Sequence, residues 1–113
     1  MVGDYLVVIG IPKVGQEVID DECEILNVEE MWSLINNDCV NEIIPAGSKG
    51  LLHEINQLEL YNNSTVVFND NIKIDLTKSA GPATCAILTV SENKIETMKI
   101  LTKLPFEIIG KVN

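Results

Sequence analysis

Ile43-Ile44-Pro45-Ala46-Gly47-Ser48-Lys49-Gly50-Leu51-Leu52-His53-Glu54-Ile55 runs from an apolar, strand-like segment through two glycines straight into an amphipathic helix. Leu51, Leu52, Ile55 and Leu58 share one helical face, Ser48 or Gly50 can cap its start, and Asn62-Asn63 ends it. A strand feeding a helix through a glycine turn is suited to holding an anion. The first helical N–H groups lack intrahelical partners, the helix dipole favours negative charge, and glycine lets backbone approach a ligand. Lys49 adds a mobile positive charge. The same turn can equally serve only to pack helix on sheet.

Outward from that stretch, Tyr5 to Ile11 is a continuous apolar, β-branched run, the pattern of a central strand buried on both faces. Pro12 and Gly15 punctuate the chain, and Val14 to Ile25 suits a short helix or an irregular connection. Asn27 is an N-cap for a helix to about Asn36 whose stripe is Val28, Met31, Trp32, Leu34 and Ile35, with Glu29 and Glu30 in its first turn. Val40 to Ile44 reads as a short strand. Thr65 to Phe68 and Ile72 to Leu76 read as two more, joined by a hairpin-like Asn69-Asp70-Asn71, although the second could begin a helix. After the loop Thr77 to Pro82 come the strand Thr84 to Val90, a helix capped by Ser91 and carrying Ile95, Met98 and Leu101, and a final strand Phe106 to Val112 behind Pro105. Helices between strands suggest crossover units and the short middle pair suggests antiparallel pairing, so the expected fold is α+β, a mixed sheet with helices packed on it.

The chain has 113 residues, enough for one domain with a real core, and aromatic residues are too few for a base-stacking surface. A net charge of −9 sets nucleic acid aside, since each phosphate contact would meet self-repulsion, but a local pocket of amides and a lysine can still hold a small anion. Cys23, Cys39 and Cys85 are odd in number and widely spaced, and no signal peptide precedes them, which fits reduced thiols in a cytoplasmic protein. Cys85 sits in an apolar run as a packing residue. No apolar stretch approaches the about 20 residues of a membrane helix, so no membrane contact is expected.

No complete catalytic set is present. Gly47-Ser48-Lys49-Gly50 lacks the fixed spacing of a Walker A loop, and Gly10 to Gly15 lacks the central glycine of a dinucleotide fingerprint. His53 is the only histidine, which leaves it without a histidine partner for zinc and favours a surface or half-buried helix position. Asp20-Asp21-Glu22 with Glu24 lacks the glycine and distal Glu of a calcium loop and fits a solvated bend. Ser79-Ala80-Gly81-Pro82 could line a ligand cleft or form a plain turn. Catalytic and metal residues are therefore expected to be none.

Gly3 to Gly10 running into Pro12-Lys13-Val14-Gly15, then Pro45-Ala46-Gly47-Ser48-Lys49-Gly50 opening a helix, then Ser79-Ala80-Gly81-Pro82 before a penultimate strand, resembles the C-terminal domain of the aminoimidazole ribonucleotide (AIR) synthase superfamily over nearly the whole chain. That superfamily includes AIR synthase, the hydrogenase expression/formation protein, selenophosphate synthetase, thiamine-monophosphate kinase and α-ribazole kinase. The resemblance implies a three-layer α/β/α fold, partly like a ferredoxin fold, that lines a cleft for a phosphorylated small molecule beside an N-terminal nucleotide-binding domain. It implies that ATP and Mg2+ are held largely by that N-terminal domain, absent here, with Gly3-Asp4 as the usual start of the C-terminal one and Met1-Val2 a truncated lead-in, as in an excised domain. It also implies an isolated unit that is inactive and monomeric. Gly47, Ser48, Lys49 and Gly50 would face phosphate, and Ser79 and Gly81 would line the cleft. The turn departs from the consecutive glycines of many relatives, and the ending Gly110-Lys111-Val112-Asn113 lacks the terminal cysteine of the hydrogenase maturation protein. The Pro-Lys-Val-Gly and Gly-Ser-Lys-Gly pair looks closest to α-ribazole kinase-like members. The rival expectation, from another class, is a stand-alone interaction or regulatory module in which the glycines only pack a helix on a sheet.

Overall fold

A computed structural model describes residues 3–16, 20, 25–80 and 84–113 of the chain. Strand β1 (Tyr5–Gly10) is followed by helix α1 (Val28–Ile35), strand β2 (Val40–Ala46), helix α2 (Leu51–Asn62) and strand β3 (Val66–Phe68). Strand β4 (Cys85–Val90), a short 3-10 turn (Glu92–Lys94), helix α3 (Ile95–Leu101) and strand β5 (Phe106–Val112) complete it. The five strands form one sheet in the order β2-β4-β1-β5-β3.

The sheet is α+β in class but antiparallel at every described pairing, where a mixed sheet was expected. Strand order accounts for the difference: the strands joined through α1, and those joined through α3, are not neighbours, so neither crossover forms a parallel ladder. β4 fills the gap between β1 and β2, and β1 fills the gap between β4 and β5. The two strand-helix-strand units are thus interlocked, and each inserted strand runs opposite to its neighbours. One consequence governs function: β1 and β2 leave the sheet at the same end at which β4 and β5 enter it, as Gly10 and Ala46 both pair with Cys85.

The continuous apolar run of β1 is buried on both faces. Leu6 and Val8 join Ile87, Ile109 and the α2 residues Leu51, Ile55 and Leu58 in one cluster. Val7 and Ile9 join Leu88, Val90, Leu34 of α1 and Met98 of α3 in another. Each such side chain taken out of water contributes about 1.5–3 kcal/mol, so this run, with the equally buried β4, contributes much of the cohesion. Gly110 of β5 lies under β3 so closely that a Cβ there would sit 2.3 Å from the Val67 carbonyl oxygen.

Asn27 caps α1 as expected, its Oδ1 accepting from the Glu30 N–H at 2.8 Å. The stripe is narrower than expected: Leu34 is buried and Met31 half-buried, but Trp32 and Ile35 are 67% and 50% exposed. The side chain of Val28 lies outside the described residues. Ser91 does not cap with its side chain. Its carbonyl accepts from Lys94 N–H, and its Oγ accepts from Asn41 Nδ2. Ile72 to Leu76 is not a strand, and Asn69-Asp70-Asn71 does not close a hairpin, because β3 pairs with β5 instead. The alternation of Ile72, Ile74 and Leu76 still packs against the α2-side cluster. Their backbone is held without a strand ladder: Glu107 Oε2 and Oε1 of β5 accept the N–H groups of Lys73 and Ile74 at 2.8 and 3.0 Å, and Leu76 O accepts from Leu52 N–H of α2. Most of the expected connection between Val14 and Ile25, with Asp21, Glu22, Cys23 and Glu24, lies outside the described residues, as do Met1, Val2, Gly81 and Pro82. No helix among the described residues is long and apolar enough to cross a membrane.

Candidate functional site

At the end where β1 and β2 exit, three loops are bolted together around Thr84. This residue, buried at the mouth of β4, accepts the Lys13 N–H on its Oγ1 at 2.9 Å. The hydroxyl proton faces Ile11 O and Ala80 O, both at 3.1 Å, and the Thr84 N–H also reaches Ala80 O. Ala80 N–H in turn donates to Gly47 O at 3.0 Å. A contiguous chain of hydrogen bonds therefore runs from the loop after β1, through the start of β4, to the glycine turn after β2. Backbone groups this deep need partners, and here the loops supply them to one another.

Gly47 is half-buried, and its carbonyl also accepts the Gly50 N–H at 3.1 Å, closing a tight turn with Ser48 and Lys49 exposed at its tip. Gly50 is the N-cap of α2 and offers no side-chain cap; at φ 86 and ψ 175 it occupies a region reserved almost entirely for glycine. A Cβ there would meet three carbonyl oxygens: Lys78 at 2.8, Thr77 at 3.2 and Leu76 at 3.3 Å. Leu52, at the second helical position, already donates its N–H to Leu76 O at 2.8 Å. The start of α2 is thus covered by the chain's own carbonyls, and the groups turned outward are the side chains of Ser48 and Lys49. Ser79 is half-buried and directly precedes Ala80, so it lies beside the Gly47 turn. Gly81 lies outside the described residues. His53 is half-buried on α2, and among the described residues no three His, Cys, Asp or Glu converge as metal ligands.

The segment over α2 also forms one wall of a cleft of about 360 Å³. Gly10 to Pro12 and Pro105 to Phe106 form the sheet-side wall, and Lys73, Ile74, Asp75 and Lys78 face it. Asp75 Oδ1 accepts from Thr77 N–H, Thr77 Oγ1 and Lys78 N–H, folding the segment into a tight bend. The Thr77 hydroxyl, foremost, and then the Thr77 amide hold the Asp75 carboxyl below its ordinary range, with smaller help from Lys78. Cys85, beneath the loops, is pushed up to about 12 by burial, which marks a packing thiol rather than a nucleophile.

Sequence reasoning reached the turn and Ser79 but not Thr84, Glu107 or the cleft. A threonine opening an otherwise apolar run, and a glutamate inside the apolar final strand, were the available signals. No protein-family model matches the chain, and no curated protein matches it in sequence.

Proposed function

We propose that the chain is the ligand-lining, C-terminal domain of an AIR synthase-related, ATP-dependent enzyme, contributing one side of a site for a phosphorylated small molecule and inactive alone. One observation carries this: the three segments on which the resemblance rests, around Lys13, Gly47 and Ala80, are joined by the Thr84-centred hydrogen bonds at a single end of the sheet. Loops gathered at one end of a rigid sheet are where binding groups are commonly displayed. Two interlocked split units support the partly ferredoxin-like topology, and apolar clusters on both faces, with α1 and α3 against one and α2 against the other, support the three-layer α/β/α arrangement. Ser48 and Lys49, with Ser79 beside them, are the groups that meet phosphate, by charge neutralisation and positioning. ATP and Mg2+ belong to the N-terminal nucleotide-binding domain in this scheme.

A monomer fits the sheet edges. Val66 N–H of β3 is taken by Glu59 Oε2 at 2.9 Å, and Pro45 removes a donor from β2. Titration with inorganic phosphate, followed by backbone amide NMR, tests the site. Saturable shifts confined to residues 47–51 and 79, weakened in Lys49→Ala, are expected; no shift at millimolar phosphate overturns it. The second reading, an interaction or regulatory module, is favoured by the carbonyl cover over Gly50 and Leu52, which gives the glycine a packing role without any ligand.

A further inference from the structure

Strand β5 is longer than the strand on its outer side. β3 pairs with it only from Phe68 opposite Gly110 to Val66 opposite Val112, while β1 continues along the other side to Ile9 opposite Phe106. The β1 ladder fixes where the leading half of β5 directs its backbone. Gly10 N–H donates to Pro105 O at 2.8 Å, so Pro105 is turned toward β1, and in an antiparallel ladder successive residues turn opposite ways. Phe106 and Ile108 therefore direct their N–H and C=O groups away from β1. Ile108 bears this out, since its carbonyl accepts from Asn69 Nδ2 on that outer side at 2.8 Å. Among the described residues no strand stands opposite Phe106 there, and neither its N–H nor its C=O meets a backbone partner on that side.

The segment after β3 has the alternation of a strand but does not fill this place. Glu107 holds the Lys73 and Ile74 N–H groups instead, with Ile72, Ile74 and Leu76 packed on the α2-side cluster. What is left is the cleft of about 360 Å³, in which Pro105, Phe106 and Glu107 face Lys73, Ile74, Asp75 and Lys78. Its ionised groups balance, two lysines against two carboxylates, and both carboxylates are bonded to amides of the segment. Charge therefore selects neither sign of ligand. The cleft offers an apolar surface and one donor-acceptor pair spaced as the backbone of a strand is.

We propose that this cleft binds a short extended peptide, an uncharged stretch of another polypeptide that adds to β5 as an antiparallel strand, one of its residues exchanging both backbone bonds with Phe106. The antiparallel direction lets a single residue make both bonds, which suits so short an edge. That residue's side chain lies on the same face as the half-buried Phe106 and Ile108, so an apolar one fits there. A second copy paired edge to edge does not suit the site. The outer strands are guarded, β3 by Glu59 on Val66 N–H and β2 by Pro45, and the open part of β5 stands behind the 73–78 segment, which admits one extended chain and shuts out the broad edge of a folded sheet. The site does not rest on phosphate binding at the Gly47 turn.

The test titrates N-acetyl-Thr-Val-Thr-amide, uncharged and rich in strand-favouring residues, into the full 113-residue chain, followed by amide NMR and hydrogen exchange. Saturable shifts are expected at Phe106, Ile108, Lys73 and Ile74, with the Phe106 amide exchanging at least about tenfold more slowly at saturation. The same peptide methylated on all three residue nitrogens keeps its side chains but loses those donors, and should bind at least about tenfold more weakly. No saturable shift at these residues with millimolar peptide, equal binding of the methylated peptide, or an unprotected Phe106 amide at saturation would overturn the proposal. Shifts confined to β2 or β3 would overturn it by placing the pairing edge elsewhere. Protection of Phe106 that grows with chain concentration, without peptide, would overturn it by making a second copy the occupant.

Discussion

Gly50→Ala should destabilise the chain by about 2–4 kcal/mol, whereas Gly47→Ala, three residues away, should stay within about 0.5 kcal/mol of wild type. Gly50 is held at φ 86 and ψ 175, where a side chain costs about 1–3 kcal/mol. Its new Cβ would also lie 2.8 Å from the Lys78 carbonyl oxygen, a backbone atom that cannot simply rotate away. Relief requires moving 76–78 off the helix start, which loses the Leu52 N–H to Leu76 O bond, about 0.5–1.5 kcal/mol more. At Gly47 the same added Cβ meets nothing within 4 Å. Urea denaturation measures the difference: with a slope of about 2 kcal/mol/M, the Gly50→Ala midpoint should fall by about 1–2 M. Hydrogen exchange at the Leu52 amide should accelerate in that variant alone. Equal midpoints for the two variants, or an unchanged Leu52 amide, would refute the view that carbonyls from 76–78 close over the helix start.

Thr84→Val keeps the shape but leaves the Lys13 N–H without its acceptor, so it should cost about 1–3 kcal/mol and exceed Thr84→Ser, which keeps the hydroxyl; a calorimetric melt showing the opposite order would count against the loop-joining role. Gly110→Ala would place a Cβ 2.3 Å from the Val67 carbonyl oxygen and should cost about 1–3 kcal/mol, loosening β3 so that the Asn69 amide, now donating to Ile109 O, exchanges faster. Cys85, whose pKa is raised from 9.0 to about 12 by burial, should resist iodoacetamide at mildly alkaline pH until the chain unfolds. The sign follows: its folded form keeps the proton that the unfolded form releases near 9.0, so its contribution is complete below that pH and declines as pH rises toward 12, visible as a lower urea midpoint in alkali.

The strands with continuous apolar runs, Tyr5–Gly10 and Cys85–Val90, were legible because burial on both faces leaves no polar alternative. The turn from Ala46 to Leu51 was legible because glycine interrupts an otherwise apolar passage at each side of Ser48-Lys49. Pairing direction was not, since it depends on which distant strand comes to lie between the two that a helix joins, which is not local. Ile72 to Leu76 has the alternation of a strand and buries the correct side chains, yet a carboxylate on Glu107 replaces the neighbouring strand, 33 residues along the chain from Ile74. Trp32 and Ile35 show the same limit: helical spacing puts them near the apolar stripe, but among the described side chains of α1 it is Leu34 and Met31 that turn against the sheet. At the site, two glycines signalled a special backbone, and only the tertiary position of 76–78 shows that Gly50 meets carbonyls while Gly47 meets nothing.

That segment ties the two candidate sites together physically. It is gripped from one side by α2, through Leu52 N–H and the space that Gly50 leaves open, and from the other by β5, through Glu107. The sheet ends beneath it are themselves fixed by Thr84. Because both grips act on one short stretch, the position of Lys78 at the cleft depends in part on Gly50, which packs under the Lys78 carbonyl and does not itself line the cleft. A side chain at that position would push the 78 carbonyl away from α2. The glycine that first suggests an anion cradle thereby acquires a second physical role: its missing Cβ lets the segment that lines the cleft lie on the helix.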